Sequence, residues 1–189
     1  MRQFSREALL YCWAQTLLFF GASRQALPVL QEVVALNPKR HDAWNVLGYL
    51  HAQKGELSQA IAAFDRALAG EPDDVALAFN AAFALQRAGE HARAMTLLER
   101  VIARDPKFDR AWYGLGLSLA HDGRYEEAAL KFREAARLQP LNPYAGYHLA
   151  AVLHRLGRRE ELLAEYERVK GFDPKISALM RREFGISDA

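Results

Sequence analysis

Six histidines, a single cysteine and several paired carboxylates are the side chains of this 189-residue sequence that could carry chemistry. A zinc site needs His, Cys or carboxylate ligands at close helical or hairpin spacing. His41, His51, His91, His121, His148 and His154 show no H-E-x-x-H arrangement, and Cys12 alone builds no thiolate cage. A thiol nucleophile needs a base beside it, and the candidates His154 and Arg155 lie far along the chain from Cys12. No glycine-rich loop runs into Lys-Ser or Lys-Thr, so no phosphate cradle is written here. The acid pairs Glu126–Glu127 and Glu160–Glu161 fall where helices are expected to begin, and carboxylates there complement the helix dipole. These residue types point away from an enzyme, a bound metal or a cofactor.

The balance of charge narrows the partners. Lys and Arg total 25 against 23 acids, a net charge of +2. Nucleic-acid binding would call for a basic face or stripe. The pairs Arg158–Arg159 and Arg181–Arg182 read instead as solvated faces, so no nucleic acid is expected. One cysteine forms no internal disulfide, and a cytoplasmic location is the expectation. The apolar stretch Ala8 to Ala22 is short for a bilayer and is interrupted by Gln15. The preceding MRQFSRE carries an acid, unlike the basic start of a signal peptide. A folded helix is expected there, with no membrane span.

Two ladders of residues then organise the chain. Pro38, Pro72, Pro106, Pro140 and Pro174 are spaced 34 residues apart, and so are Gly21, Gly55, Gly89, Gly123 and Gly157. Within one period, Trp112, Leu115, Gly116 and Leu119 fall at i, i+3, i+4 and i+7, one stripe of a helix. Gly123 follows, where a helix exits through a left-handed residue. Tyr125, Ala128, Ala129, Phe132, Ala135 and Ala136 form a second stripe that Pro140 closes. The unit is helix, glycine turn, helix, proline stop, and neither helix buries its stripe alone. Small residues Ala14, Gly48, Ala82, Gly116 and Ala150 on the first helices face Ala26, Ala60, Ala94 and Ala128 on the second. They allow close helix approach, and Leu30, Phe64, Leu98, Phe132 or Tyr166 fills the space beyond. Asn142 before Pro143 is a capping amide ahead of a first-position proline.

Trp44, Leu47, Gly48, Ala60, Phe64 and Pro72 resemble the tetratricopeptide repeat at its proper spacing, and Trp112, Leu115, Gly116, Ala128, Phe132 and Pro140 do so again. The resemblance implies an all-α, right-handed α-solenoid: a single domain over 1–189 with repeats 7–40, 41–74, 75–108, 109–142 and 143–176 and a C-terminal capping helix, 177–189. Residues 175–184 read as the half-repeat that covers the last apolar face. Repeat one fits through Leu10, Trp13, Ala14, Leu17, Ala26 and Pro38. Its Pro28 requires the second helix to kink or to begin late, near Ala26. Ala78 replaces the Trp in repeat three, which implies looser packing. Gly146 and Leu162 in repeat five imply a wider helix pair, and His51 occupies an aromatic core site.

The family uses its concave surface to hold partner proteins. Carried over position by position, that groove holds Tyr11, Gln15, Asp42, Asn45 and Tyr49, then Phe79, Asn80, Phe83 and Arg87. It continues with Arg110, Tyr113, Leu117 and His121, then Tyr144, Tyr147, His148, His154 and Arg155. Aromatic rings framed by amides and cations suit a peptide with apolar anchors and acidic groups. Asn80 and Arg110 match part of a carboxylate clamp known in the family. Asn45, Tyr49 and Gly114 depart from it, so a full clamp is not implied. The expected function is a non-catalytic adaptor, scaffold or chaperone-like module binding a partner peptide. The alternative is a structural or self-assembling subunit, of a larger complex or of a homo-oligomer, joined through Leu9, Leu10, Leu18, Phe19 and Phe20, which no repeat precedes. Met1 and Phe4 could instead fold over that face.

Overall fold

The structure is a computed structural model and describes residues 5–187. It divides into two compact units, with the boundary in the chain between Glu90 and His91. The first holds α1 (Arg6–Phe19), α2 (Ser23–Leu36), α3 (His41–Gln53), α4 (Leu57–Leu68) and α5 (Val75–Arg87). The second holds α6 (His91–Arg104), α7 (Asp109–His121), α8 (Tyr125–Leu138), α9 (Pro143–Arg155), α10 (Arg159–Lys170) and α11 (Pro174–Phe184). Every described regular element is helical, and no described helix is long and apolar enough to cross a membrane.

The 34-residue ruler is visible in the backbone. Helices α2, α4, α6, α8 and α10 start at Ser23, Leu57, His91, Tyr125 and Arg159, one period apart. All five ladder glycines have φ between 70° and 80°. After each, the next amide reaches back to the helix it left, as Arg124 N–H does to the Leu119 carbonyl at 2.9 Å. That is the 6→1 bond of a Schellman turn, which satisfies a carbonyl the helix end would otherwise strand.

The alanines Ala14, Ala26, Ala60, Ala82, Ala94, Ala128 and Ala150 are all at 0 % exposure, so both small-residue ladders are buried. Phe64 and Phe132 lie over Gly48 and Gly116, closer than a β-carbon would allow. The proline at 28 neither delays nor divides its helix: α2 runs unbroken from Ser23, and Pro28 lies inside it. His51 is buried, and its Nδ1 lies 2.6 Å from Glu56 Oε2. Leu162 is fully buried. Glu126 and Glu127 lie in the first turn of α8, and Glu160 and Glu161 in that of α10. Asn142 Oδ1 caps α9 by accepting from Tyr144 N–H.

The last helix starts earlier than the residue at which the capping helix is expected. Pro174 takes its first position, and the Asp173 carboxylate accepts from the amides of Lys175 and Ile176. Ser177, Met180 and Phe184 are its buried face, with Ile186 beyond it. Residues 188 and 189 lie outside the described residues.

Candidate functional site

In the first unit, α1, α3 and α5 carry the residues assigned to the groove. Tyr49 and Phe83 each keep about half of their surface exposed (52 %). Asn45, Phe79 and Asn80 are half-buried. Arg87 ties α5 to α3, donating from Nη1 to the Ala52 carbonyl at 2.8 Å, while its guanidinium lies 5.9 Å from the Phe83 ring centre. An exposed ring beside a guanidinium already held in place is a contact surface with little side-chain freedom left to lose on binding.

Next to them the sequence reading missed a charged knot. The Arg40 guanidinium covers the Tyr11 ring at 4.0 Å and donates to Glu7 Oε1 at 2.8 Å. Its Nε is 3.2 Å from Asp42 Oδ1, an ion pair without an aligned hydrogen bond. Burial first, and then the Asp42 carboxylate, push the Tyr11 phenol above its ordinary pKa. Arg40 lies in the turn before α3, where no periodic pattern marks it.

In the second unit the assigned residues separate into two groups. Tyr144 stays half-exposed, Arg110 is exposed with its guanidinium 5.1 Å from the Phe108 ring, and Arg155 is exposed. Leu117 is half-buried. Tyr113, Tyr147 and His148 are instead packed into the helices around them. His148 stacks on Phe132 at 5.6 Å and meets the edges of Tyr113 at 5.5 Å and Tyr147 at 5.1 Å. Burial lowers its pKa. Tyr113 is raised, by burial first and Tyr144 second. Tyr147 donates to Glu183 of α11 and packs against Phe184 at 5.8 Å. The hydrogen bond to Glu183, ahead of burial, raises its pKa. His154 also reaches Phe184, at 5.5 Å. Much of the aromatic character of α9 is therefore spent on seating the last helix.

His121 is drawn to α6, the helix that precedes its own. Its ring stacks on His91 at 3.8 Å, and His91 Nδ1 lies 3.3 Å from Ser118 Oγ. Among the described residues, no group of three or more His, Cys, Asp or Glu side chains is placed to hold a metal.

The proposed N-terminal face also divides. Leu10 and Leu18 pack against the core of the first unit. Leu9 (58 %), Phe19 (85 %) and Phe20 (77 %) are exposed, and Trp13 (54 %) joins them. Trp13 occupies the position of Leu47, one period on, which is buried. Met1 and Phe4 lie outside the described residues.

Residues 26–161 match the family model of the cytochrome c-type biogenesis protein H TPR domain. The fold is similar to MamA from Desulfovibrio magneticus RS-1, with a TM-score of 0.84, 22 % identity, and coverage of 91 % of this chain and 97 % of that one. It is also similar to YrrB, described as a TPR protein with an unusual peptide-binding site, with a TM-score of 0.83, 18 % identity, and coverage of 92 % and 90 %. Over 52 residues the chain is 40 % identical to cellulose synthase operon protein C of Escherichia coli strain K12. That stretch is 28 % of this chain and 4 % of the relative, so the chain spans only a small part of the curated protein it matches.

Proposed function

Because the chain belongs to the family of the cytochrome c-type biogenesis protein H TPR domain, we propose that it is a non-catalytic interaction module whose first helices hold a peptide segment of a partner protein. The observation that carries this reading is the pairing of half-exposed Tyr49 and Phe83 with Arg87, which is fixed across α3 and α5. Rings supply contact area at low entropy cost, and the free edges of a guanidinium can accept a carboxylate. The peptide therefore carries apolar anchors and acidic groups. The fold shared with YrrB, a TPR protein with an unusual peptide-binding site, supports the same reading. Proteins of cytochrome c-type biogenesis, the process that names the family, are the first partners to test.

The experiment is an array of overlapping peptides from those proteins, probed with the whole chain and with a Tyr49→Ala/Phe83→Ala variant of unchanged helical content. Loss of the recovered peptides in the variant supports the reading. Full-strength binding by the variant to every recovered peptide overturns it.

A second reading, a self-assembling subunit joined through α1, is favoured by the exposed apolar set Leu9, Trp13, Phe19 and Phe20. Sedimentation equilibrium of the whole chain against Phe19→Glu/Phe20→Glu tests it, and a strict monomer at high concentration removes it.

A further inference from the structure

Away from Tyr49, Phe83 and Arg87, the first unit has an open slot between consecutive second helices. Its volume is about 540 Å³, with Trp44 and Leu47 of α3 among its lining and α2 and α4 on either side. That lies within the usual range for a site holding a small ligand or one anchoring side chain. The equivalent place two periods later carries different side chains. There Leu130 and Lys131 stand where the slot has Ala62 and Ala63. Lys131 Nζ covers the Trp112 ring at 5.2 Å, whereas no cation from α4 covers Trp44, which instead lines open volume.

The charged residues at the two places differ as well. Glu99, Glu127 and Glu134 of the later repeat correspond to Gln31, Gln59 and Arg66 here, and all three of the latter line the slot. Glu134 is neutralised by Arg137, and Glu127 by Arg124. The slot is thus a largely apolar cleft whose polar lining is two amides, a guanidinium and the His51 imidazole, and no carboxylate is among the described residues lining it. A guanidinium beside an apolar wall recognises a carboxylate next to an aliphatic or aromatic group.

We propose that this slot is a second peptide site, distinct from the Tyr49, Phe83 and Arg87 surface, which takes an apolar side chain with an adjacent acidic residue from a partner protein. The apolar side chain lies against Trp44 between Val34 and Ala62. The carboxylate pairs with Arg66, and Gln31 and Gln59 can hydrogen-bond the peptide backbone.

The test uses the whole chain and three blocked hexapeptides that differ only at the centre: Leu-Glu, Leu-Gln and Leu-Lys. NMR follows the indole N–H signals of Trp13, Trp44 and Trp112. The expected result is a saturable shift of the Trp44 signal with Leu-Glu, and binding of the other two weaker by about tenfold or more. Ala63→Lys, which writes the later repeat's residue into the slot, abolishes the shift. Arg66→Glu, at an exposed position, reverses the preference towards Leu-Lys and decides the matter should Ala63→Lys fail to fold. An unmoved Trp44 signal, equal response to all three peptides, or a response unchanged in Arg66→Glu overturns the proposal. Tyr49→Ala/Phe83→Ala leaves this shift intact, so the two peptide sites succeed or fail separately.

Discussion

The Phe64 ring lies over Gly48 so closely that a β-carbon there would stand 2.6 Å from Phe64 Cδ1. Phe64 is 1 % exposed and has no room to swing away. Alanine at position 48 gains up to about 1 kcal/mol of helix propensity, while overpacking a closed core costs roughly 1–3 kcal/mol. Gly48→Ala is therefore expected to destabilise by about 1 kcal/mol, read from the urea midpoint. The first repeat pairs Ala14 with Leu30 inside one core cluster. Gly48→Ala/Phe64→Leu recreates that pair, and its midpoint is expected above that of Gly48→Ala alone.

Stability should fall on mild acidification. Burial lowers the pKa of His148, and burial followed by the charge of His121 lowers that of His91, against a smaller opposing pull from Asp122. A histidine depressed in the folded state binds its proton more readily when unfolded. Stability is therefore full above the unfolded value of about 6.5 and declines as pH drops through it towards the folded value. Glu56, Glu127 and Glu134 are lowered by hydrogen bonds to Lys54, Arg124 and Arg137. Their contributions are lost only below the ordinary carboxylate range, so they do not mask the histidines. Thermal melts across the neutral-to-mildly-acidic range check this, and His91→Gln/His148→Phe flattens the profile.

The hydrogen bonds at three of the proline stops give a third expectation. Trp44 Nε1 donates to the Pro38 carbonyl at 3.0 Å, and Trp112 Nε1 to the Pro106 carbonyl at 2.9 Å. In the fifth repeat Gly146 removes the indole, and Arg168 of α10 supplies the donor instead, at 2.7 Å from the Pro140 carbonyl. Glu165, itself 12 % exposed, holds Arg168 there. Trp112→Phe removes one such bond and is expected to cost about 1 kcal/mol. Arg168→Met also strands Glu165 and is expected to cost more, roughly 1–3 kcal/mol. Denaturant titration of each variant checks the order.

Those three carbonyls also mark where the sequence is readable and where it is not. The helix pairs, glycine turns and alanine seams depend on one residue type recurring at one place, and a 34-residue period displays that directly. The Arg168 replacement has no such signature, because the substitute donor comes from a different helix 22 positions after the missing Trp. Site residues suffer the same limit. Carrying family positions over puts Tyr49, Phe83 and Tyr144 at places that are exposed in the fold. It could not foresee that α11 would claim Tyr147, or that His148 would be enclosed by Phe132, Tyr113 and Tyr147. Trp13 belongs to the stripe by its spacing, yet among the described residues no helix covers it and it stays exposed.

Arg40 offers the sharpest local test, because one side chain joins α1 to the turn before α3. It is 26 % exposed and its partner Glu7 15 %, so solvent screens the pair only in part. Truncation leaves Glu7 half-sequestered without its cation and uncovers the Tyr11 ring, while Asp42 keeps its bond from the Ala43 amide. Arg40→Ala is expected to destabilise by about 1–2 kcal/mol. Arg40→Met, which keeps the stem packed on Tyr11, should recover part of that loss. In a stacked array such damage stays near its source. Hydrogen exchange of α1 amides should accelerate in Arg40→Ala, while amides of α9 and α10 keep their protection. Equal acceleration in both units would mean that the chain unfolds as one cooperative block and that Arg40 has no local role.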